Sequence, residues 1–464
     1  MTMEVLADWV SKVSNVVWNG LLLYLLVGTG IVFTIRTRFV QVRKFGAGWK
    51  HLFGHFSLNG EKAGKDGMSP FQALTTAIAA QVGTGNIAGA ATALYSGGPG
   101  AIFWMWLSAF FGMSTIYGEA VLAQKYKTTD DKGHVTGGPI YYIRARFTGK
   151  FGKFLAGFFS VAIIFALGFT GNMVQANSIS VAFNTAFGAP MIVVGIICAI
   201  IAAFIFLGGV GRIAAVTEKV VPIMALFYMG GAVVVLWVHR ANLPQAFAQI
   251  CSMAFDTRAG TGGVLGYGMT QAVRAGVSRG VFSNEAGLGS SVMVHAAADA
   301  KEPCEQGMWA VFEVFFDTIV MCSVTAFVIL TSGVYDVSRY ALASGTPLLS
   351  QLTTGAQLTA EAFSTVFGRF GGGFVAVSLA LFAFSTLLGW SYYGQRAAAY
   401  LMGERVIPVY KAAFLLAAVA GCMMRLEPVW ALSDTFNGLM ALPNLAGVLA
   451  LRRQVIAEWC RYKH

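Results

Sequence analysis

The motif QVGTGN, at positions 81–86, combines glycines with polar side chains inside an apolar stretch. No Asp, Glu, Lys or Arg occurs between Gly67 and Gly118, and that stretch is long enough to cross a bilayer twice. In hydrocarbon every backbone N–H and C=O needs a partner within the protein, so a Gly-Thr-Gly break is tolerated only where these groups face a cavity or a ligand. The motif therefore predicts a broken membrane helix with a binding site at the break.

A broken helix presents opposite partial charges on the two sides of its break. We expect the N–H groups of residues 84–86 to hold a carboxylate, and the carbonyl groups near Ala79 and Val82 to hold Na⁺ or an ammonium group. An amino acid carries both charges. The competing interpretation is a packing face at Gly85 and Gly89, which needs no ligand. The polar side chains at positions 84 and 86 favour the binding site.

A second interruption, AGTGG at positions 259–263, falls in a second hydrophobic half of the chain. Paired interrupted segments in two halves are the best sequence indication of a secondary transporter's substrate and ion site. The two motifs together therefore favour a carrier.

The composition of the whole chain restricts the kind of fold in which these motifs can lie. The 464 residues are 56% hydrophobic and 11% charged, with a mean hydropathy of +0.65, whereas soluble domains are about 25% charged. Long apolar runs suit transmembrane helices of roughly 20 residues. They exclude a β-barrel, whose strands alternate between apolar and polar residues. We therefore predict an all-α integral membrane protein.

The formal net charge of +11 is concentrated in segments between the apolar runs. Residues 36–68 and 124–153 each carry seven Lys or Arg against two acids, which predicts cytoplasmic loops. We expect the amino terminus outside, the carboxyl terminus in the cytoplasm, and a bacterial inner-membrane location. The expected surroundings are a lipid bilayer, with no nucleic acid and no obligate protein partner. The six cysteines are scattered without metal-ligand spacing.

Eleven transmembrane spans are predicted. They cover residues 16–35, 69–96, 100–123, 154–182, 191–210, 219–238, 245–270, 307–331, 369–402, 408–424 and 429–451. After the first span, two sets of five follow, and because five is odd the sets must enter the membrane from opposite sides. This is a 5+5 inverted repeat. The predicted units are residues 1–68 (first helix and basic loop), 69–238, 239–452 and a tail at 453–464.

Two connections complete the predicted topology. Residues 270–306 are Gly-rich and amphipathic, which predicts a cytoplasmic helix and loop. Residues 331–368 form a long external connection and a candidate lid.

Five stretches resemble the alanine/glycine:cation symporters, a family of the amino acid/polyamine/cation superfamily with the leucine-transporter fold. They are SPFQALTTAIAAQVGTGNIAG (69–89), GGPGAIFWMW (97–106), TGNMVQANS (170–178), RGVFSNEAGLGS (279–290) and LLGWSYYGQRA (387–397). The FSNEAGLGS run is the most specific of these. The resemblance implies Na⁺-coupled uptake of small neutral amino acids, such as alanine or glycine, by alternating access, with no organic cofactor.

The resemblance also implies roles for individual residues. Substrate contacts are implied at Thr84, Gly85, Asn86, Gln175, Phe169, Phe255 and Trp390. Na⁺ ligands are implied at Ala79, Val82, Phe382, Ser385 and Thr386. Gln175 is preferred over Asn177 on the same helix as the substrate's amide contact, and Trp390 would limit the size of the substrate's side chain.

Each assignment has a plainer alternative. Gln175 could serve as an interhelical hydrogen-bond partner, and the Ser-Thr pair at 385–386 could bond back to its own helix. Trp390 could be core packing. FSNEAGLGS could be a cytoplasmic cap, in which Asn284 and Glu285 fix a turn, or a gate.

Carboxylates inside predicted spans form a separate hypothesis, because ionisable residues there are functional candidates. Glu313 and Asp317 lie four residues apart on one helix face and could relay protons, which would make the carrier H⁺-coupled. Asp434 is a candidate external gate. Asp256 and Arg258 are expected to form a local ion pair.

An enzyme and a channel are the remaining function classes. Catalysis in the membrane would need His, Cys, acid or metal groups converging at one depth. The histidines, at positions 51, 55, 134, 239, 295 and 464, fall in predicted loops or at helix ends, and no GxSxG or HExxH motif occurs. We therefore predict no enzyme. Two asymmetric breaks, rather than a ring of repeated filter loops, favour a carrier over a channel.

Overall fold

A computed structural model of the chain describes residues 12–14, 16–46, 68–130, 133–255, 268–343, 351–424 and 426–462. The described chain is predominantly helical. A short antiparallel pair, Thr128–Thr129 (β1) with Val135–Thr136 (β2), lies between two of the helices.

The helices of the first part of the chain surround the first predicted break. They are Leu23–Arg36 (α1), Val40–Arg43 (α2), Pro70–Gln81 (α3), Ala90–Gly97 (α4), Gly100–Lys125 (α5), Pro139–Arg146 (α6), Gly149–Ile163 (α7), Asn172–Phe187 (α8), Met191–Leu207 (α9), Gly209–Val238 (α10) and Leu243–Met253 (α11). Three π-helical turns, Trp18–Leu22, Gly85–Gly89 and Ile164–Gly171, directly precede α1, α4 and α8.

The second part of the chain repeats this use of long helices and π-helical turns. Its helices are Met269–Asn284 (α12), Val292–Ala296 (α13), Pro303–Val314 (α14), Ser323–Thr331 (α15), Val337–Ala343 (α16), Gly355–Phe367 (α17), Phe370–Met402 (α18), Ile407–Cys422 (α19), Leu426–Ala450 (α20) and Arg452–Arg461 (α21). A π-helical turn, Phe315–Cys322, joins α14 to α15, and 3₁₀ turns at Arg240–Asn242 and Glu404–Val406 precede α11 and α19.

Six helical segments of the described chain are long and apolar enough to cross a membrane. They are Gly100–Lys125, Gly149–Phe187, Gly209–Val238, Pro303–Thr331, Phe370–Met402 and Glu404–Cys422. Large apolar side chains on α9 and α10 face outward, including Leu207 at 84% and Leu226 at 74% exposure. Such exposure suits helices that contact lipid tails. The chain is a helical, multi-pass membrane protein.

The helix before the first break begins with strong local signals. The Ser69 hydroxyl accepts from the Gln72 N–H at 3.1 Å, and the Gln72 side chain accepts from the Ser69 N–H at 3.2 Å. Pro70 occupies the first helical position. This capping box with a proline satisfies N–H groups that a helix start would otherwise leave unpaired, and it fixes the position from which α3 runs to Gln81.

Close approach at small residues places α12 inside the bundle. A Cβ atom on Gly276 would stand 2.2 Å from the Ala101 carbonyl oxygen of α5, and one on Gly97 of α4 would stand 2.7 Å from the Ala275 Cβ atom. Small residues let helix backbones approach each other within a membrane. The helix α12 therefore packs against both α4 and α5.

Candidate functional site

The first interruption lies where the sequence predicts it, directly after α3. Val82 has φ −75° and ψ 88°, which leaves the helical region. The N–H of Gly83 donates to the Asn86 Oδ1 atom at 2.9 Å, and the N–H of Thr84 donates to the Gln175 Oε1 atom at 3.1 Å. Gly83, Thr84, Asn86 and Gln175 are all buried. The N–H groups of the break thus donate to side-chain oxygen atoms. A bound carboxylate would take the place of these oxygens or accept alongside them.

The carbonyl end of the break meets two hydroxyl groups from α18. The Thr386 hydroxyl lies 3.1 Å from the Ala79 carbonyl oxygen, 3.4 Å from that of Val82 and 3.0 Å from that of Phe382. The Ser385 hydroxyl lies 3.3 Å from the Ala79 oxygen and 2.8 Å from the Phe382 oxygen. The structure therefore brings together all five residues for which the sequence predicts a role in binding Na⁺.

This oxygen cluster has more acceptors than donors. Each hydroxyl carries a single proton, so the two hydroxyls together can donate only two hydrogen bonds to three carbonyl oxygens that each hold two lone pairs. The bonds to Phe382 are the i−3 and i−4 contacts that a Ser-Thr pair makes within its own helix. The contacts to Ala79 and Val82 cross to another helix. Neutral oxygens with unused lone pairs are suited to a small monovalent cation.

The two amides of α8 have different partners. The Gln175 Oε1 atom accepts from the N–H of Thr84 at the break. The Asn177 Nδ2 atom donates to the carbonyl oxygens of Gly421 and Met424, each at 2.8 Å. Gln175 therefore faces the first break, whereas Asn177 joins α8 to the end of α19.

A second interruption in the bundle lies between α12 and α13. Glu285, Gly287 and Gly289 all have positive φ, at 56°, 88° and 80°, and residues 285–291 are buried. The Asn284 Oδ1 atom accepts from the N–H of Ala286 at 3.0 Å. A Cβ atom on Gly85 would stand 2.9 Å from the Ser283 hydroxyl oxygen. The FSNEAGLGS run thus breaks a helix directly beside the first break.

This arrangement corrects the predicted placement of residues 270–306 as a cytoplasmic helix and loop. The segment carries charged residues, and hydropathy alone therefore excluded it from the spans, but within the bundle Arg279 pairs with Asp434 of α20 and Glu285 accepts from Trp390 of α18. Asn284 and Glu285 do fix a turn, as one alternative proposed, although the turn is interior rather than peripheral. The interruption predicted at 259–263, and the pair Asp256 with Arg258, lie outside the described residues.

Trp390 of α18 connects the two interruptions. Its Nε1 atom donates to the Glu285 Oε1 atom at 2.6 Å. A Cβ atom on Gly171 would stand 2.6 Å from the Trp390 Cζ3 atom, and Gly171 lies one helical turn before Gln175. The indole therefore lies between the second break and the helix whose amide contacts the first.

Glu313 and Asp317 hold the two sides of the first break. Glu313 Oε1 accepts from the Gln81 Nε2 atom at 3.0 Å. Asp317 Oδ1 accepts from the Asn86 Nδ2 atom at 2.7 Å and from the Ser283 hydroxyl at 3.0 Å. Both carboxylates are fully buried. The predicted common helix face is present, and its two carboxylates use different hydrogen-bond partners.

His295 is a residue that sequence reasoning missed. Its Nε2 atom lies 2.8 Å from the Glu313 Oε2 atom, and its Nδ1 atom lies 2.7 Å from the Gln306 Oε1 atom. The Ser291 hydroxyl donates to Glu313 Oε1 at 3.1 Å. The histidine is fully buried and lies in the last turn of α13, one of the helix ends at which the sequence predicts histidines. A spacing of 18 residues from Glu313 gave no periodic signal for this contact.

Two aromatic residues with predicted pocket roles pack elsewhere. Phe255 is 55% exposed and packs edge-on against Phe103 and Trp104 at the start of α5, with ring centroids 5.0 and 5.7 Å apart. Phe169 packs against Phe165 and Tyr410. Neither contact is with a residue of the two breaks.

Asp434 of α20, the candidate gate, forms an ion pair with Arg279 of α12. The Arg279 guanidinium also stacks over the Trp430 ring, 4.8 Å from its centroid, and lies 5.6 Å from the Phe282 centroid. Phe282 packs edge-on against Trp390 at 6.2 Å. The ion pair is therefore connected to the indole through one aromatic ring.

Sequence comparison supplies the family context for this geometry. A family model described as the sodium:alanine symporter family matches residues 3–464. The sodium/alanine symporter AgcS of Methanococcus maripaludis is 43% identical, covering 97% of this chain and 96% of that protein. The probable sodium/glutamine symporter GlnT of Bacillus subtilis is 38% identical, covering 97% of this chain and 90% of that protein.

Comparison of folds identifies similar proteins at lower sequence identity. The substrate-bound, outward-open structure of a Na⁺-coupled sialic acid symporter matches with a TM-score of 0.55 at 13% identity, covering 93% of this chain and 86% of that chain. At this identity the likeness concerns the fold alone. These relatives are transporters, so the expectation that the chain is not an enzyme is confirmed.

Proposed function

Because the chain belongs to the sodium:alanine symporter family, we propose that it carries a small neutral amino acid into the cell together with Na⁺. The observation that carries this proposal is the junction at residues 79–86. There, N–H groups and a cluster of neutral oxygens lie on opposite sides of one unwound segment. An amino acid and a sodium ion together present the charges that these two ends attract.

The substrate's carboxylate would bind at the N–H end of the first break. The N–H of Thr84 donates to the Gln175 side chain, so a carboxylate oxygen placed there would be accompanied by a polar amide. Trp390, held against Gly171, would close the side of the pocket that receives the substrate's side chain. A bulky indole at this position favours alanine or glycine over larger amino acids.

Na⁺ would bind among the Ala79, Val82 and Phe382 carbonyl oxygens and the hydroxyls of Ser385 and Thr386. The cluster joins α3 to α18, and its Ala79 and Val82 carbonyls belong to the segment that leads into the substrate's N–H groups. A bound ion would therefore stabilise one arrangement of the unwound segment. Because coupling between two sites is reciprocal, the substrate would in turn tighten Na⁺ binding.

The 5+5 inverted repeat with one preceding helix, eleven spans in all, is part of the same proposal. A helix broken at 82–84 opens the first set, and a helix broken at 285–291 supplies the counterpart in the second. We propose that α12 and α13, in place of the span predicted at 245–270, are the two halves of that counterpart. The orientation with the amino terminus outside, in a bacterial inner membrane, rests on the basic segments 36–68 and 124–153.

Proton coupling remains a second candidate because Glu313 contacts His295 within a fully buried pair. A proton could be held there while the break changes shape. The separate partners of Glu313 and Asp317 give no direct hydrogen bond for a relay between them, and the neutral oxygen cluster favours Na⁺.

Uptake into proteoliposomes separates these functions. Labelled alanine is offered under an inward Na⁺ gradient, with Na⁺ replaced by K⁺ or Li⁺ in matched vesicles and with a pH gradient in others. We expect accumulation that requires Na⁺ and is inhibited by unlabelled glycine. Uptake that ignores Na⁺ and follows the pH gradient would reject the Na⁺ assignment in favour of the Glu313 and His295 pair.

A further inference from the structure

The Trp390 indole is fixed by a carboxylate from the second interruption. The Glu285 Oε1 atom accepts from Trp390 Nε1 at 2.6 Å, and the Glu285 Oε2 atom accepts from the Ser290 hydroxyl at 2.5 Å. Glu285 and Trp390 are 1% and 2% exposed. A carboxyl oxygen can accept from the indole N–H whether the group is ionised or protonated, and in a buried site no water competes for that N–H.

The other end of the same ring is held by packing. A Cβ atom on Gly171 would stand 2.6 Å from Trp390 Cζ3, and the Phe282 ring meets the indole edge-on. The ring thus has a hydrogen bond at its pyrrole end and close backbone contact at its six-membered end. Rotation of the indole would require the Glu285 bond to break.

Glu285 occupies a backbone conformation that favours a different residue. It follows the last residue of α12 with φ 56° and ψ 7°, the left-handed conformation in which helices commonly end on glycine. A glycine would adopt this conformation without strain but would offer no carboxylate. An observed strained residue beside a binding site is a reason to look for a function of its side chain.

We propose that Glu285 is a positioning residue that sets the size limit for the substrate's side chain by orienting the Trp390 indole. This inference rests on the proposed function, because it concerns the amino acid that is carried. With the bond intact, the indole closes the pocket near the substrate's β-carbon. Without it, the ring can rotate and the pocket admits longer side chains. Ser290 contributes by holding the second carboxylate oxygen.

The competing explanation is that Glu285 only stabilises the turn at residues 285–291. In that case its removal would weaken folding or uptake of every substrate to a similar degree, and the effect would not depend on the indole N–H. The two explanations therefore differ in selectivity and in their dependence on Trp390.

The test measures selectivity along a series that grows by one methylene: alanine, 2-aminobutyrate and norvaline compete with labelled alanine in proteoliposome uptake driven by an inward Na⁺ gradient. One methylene typically changes selectivity by about tenfold or more. We expect Glu285→Ala to lose most of this discrimination, while Glu285→Gln, which keeps an acceptor oxygen for the indole, restores it. Ser290→Ala should shift selectivity in the same direction with a smaller effect on folding.

A double-substitution cycle isolates the contact. Trp390→Phe removes the donor, so Glu285→Ala should change selectivity little further in that background. If Glu285→Ala and Ser290→Ala keep the discrimination between substrates, the inference is wrong. It is also wrong if the effects of Glu285→Ala and Trp390→Phe on selectivity multiply in the double variant. Either result leaves the proposed function in place. If the unaltered protein moves none of these amino acids, the proposed function fails, and this inference fails with it. Gel filtration and thermal unfolding in detergent verify that each variant is folded.

Discussion

Replacement of Thr386 by valine is the most direct test of the proposed Na⁺ site. Valine has nearly the same shape as threonine and removes the hydroxyl that lies 3.0–3.4 Å from three carbonyl oxygens, those of Ala79, Val82 and Phe382. The ion would lose one of five oxygens. We expect a hardly altered fold, because the intrahelical bond to Phe382 is of the kind that contributes little to helix stability.

The size of the expected effect on Na⁺ binding follows from the loss of one neutral oxygen that would contact the ion. A hydrogen bond to a charged group contributes about 1.5–3 kcal/mol, and we take the ion–hydroxyl contact to be comparable. Since every 1.4 kcal/mol is roughly a factor of ten, the Na⁺ concentration for half-maximal alanine uptake should rise about 10- to 150-fold. At a fixed, subsaturating Na⁺ concentration, alanine binding should weaken as well, because the coupling is reciprocal.

The assay is initial uptake of labelled alanine against external Na⁺ at constant ionic strength. Ser385→Ala should act in the same direction as Thr386→Val. Ser378→Ala is the matched control: Ser378 is also buried in α18, and its hydroxyl bonds to the Phe374 carbonyl oxygen of its own helix at 2.8 Å. If the Na⁺ dependence of Thr386→Val coincides with that of Ser378→Ala, the ion does not bind in this oxygen cluster.

Three further substitutions test the substrate pocket and the coupling ion. Gln175→Ala removes the amide proposed to contact the substrate, and loss of one hydrogen bond to a charged carboxylate costs about 1.5–3 kcal/mol, so alanine binding measured by scintillation proximity should weaken at least about tenfold; unchanged binding would move the carboxylate site elsewhere. Gly171→Ala places a Cβ atom 2.6 Å from Trp390 Cζ3, and such overpacking typically costs about 1–3 kcal/mol, so we expect a lower thermal midpoint in detergent, and an unchanged midpoint would contradict the packing described. Glu313→Gln preserves an acceptor for hydrogen bonding, so Na⁺-driven uptake should persist while a pH gradient without Na⁺ drives none; loss of uptake together with its pH dependence would favour proton coupling.

The first interruption could be predicted from the sequence because its signal is local. Gly83 and Gly85 lie in a stretch without charges, and a break there has few interpretations other than a site. That Phe382, Ser385 and Thr386 would face this break was expected only through the family resemblance, because no periodicity connects Thr386 with Ala79, which is more than 300 residues away. Only the fold shows that their oxygens meet.

The second interruption could not be located by the same reasoning. Glu285 and His295 give the segment after α12 the polarity that is typical of a loop, because a hydropathy scale scores every ionisable residue as if it were exposed to water. In the structure their partners come from other helices: Trp390 donates to Glu285, and Glu313 contacts His295. The available signal was the FSNEAGLGS motif, whose Gly287 and Gly289 supply positive φ on both sides of a leucine. Motif specificity was a better guide here than hydropathy.

The two carboxylates of the helix that begins with α14 explain how an unwound segment keeps a defined shape. Glu313 accepts from Gln81, just before the break, and Asp317 accepts from Asn86, just after it. Glu313 lies on α14 and Asp317 lies in the π-helical turn that continues it, so one continuous helical segment carries both acceptors. Amide side chains anchored at both ends leave the intervening N–H and C=O groups little freedom. A site held open in this way loses less conformational entropy when its ligands bind. The carboxylates are then needed in a span as acceptors for neutral amides, whether or not either of them ever carries a proton across the membrane.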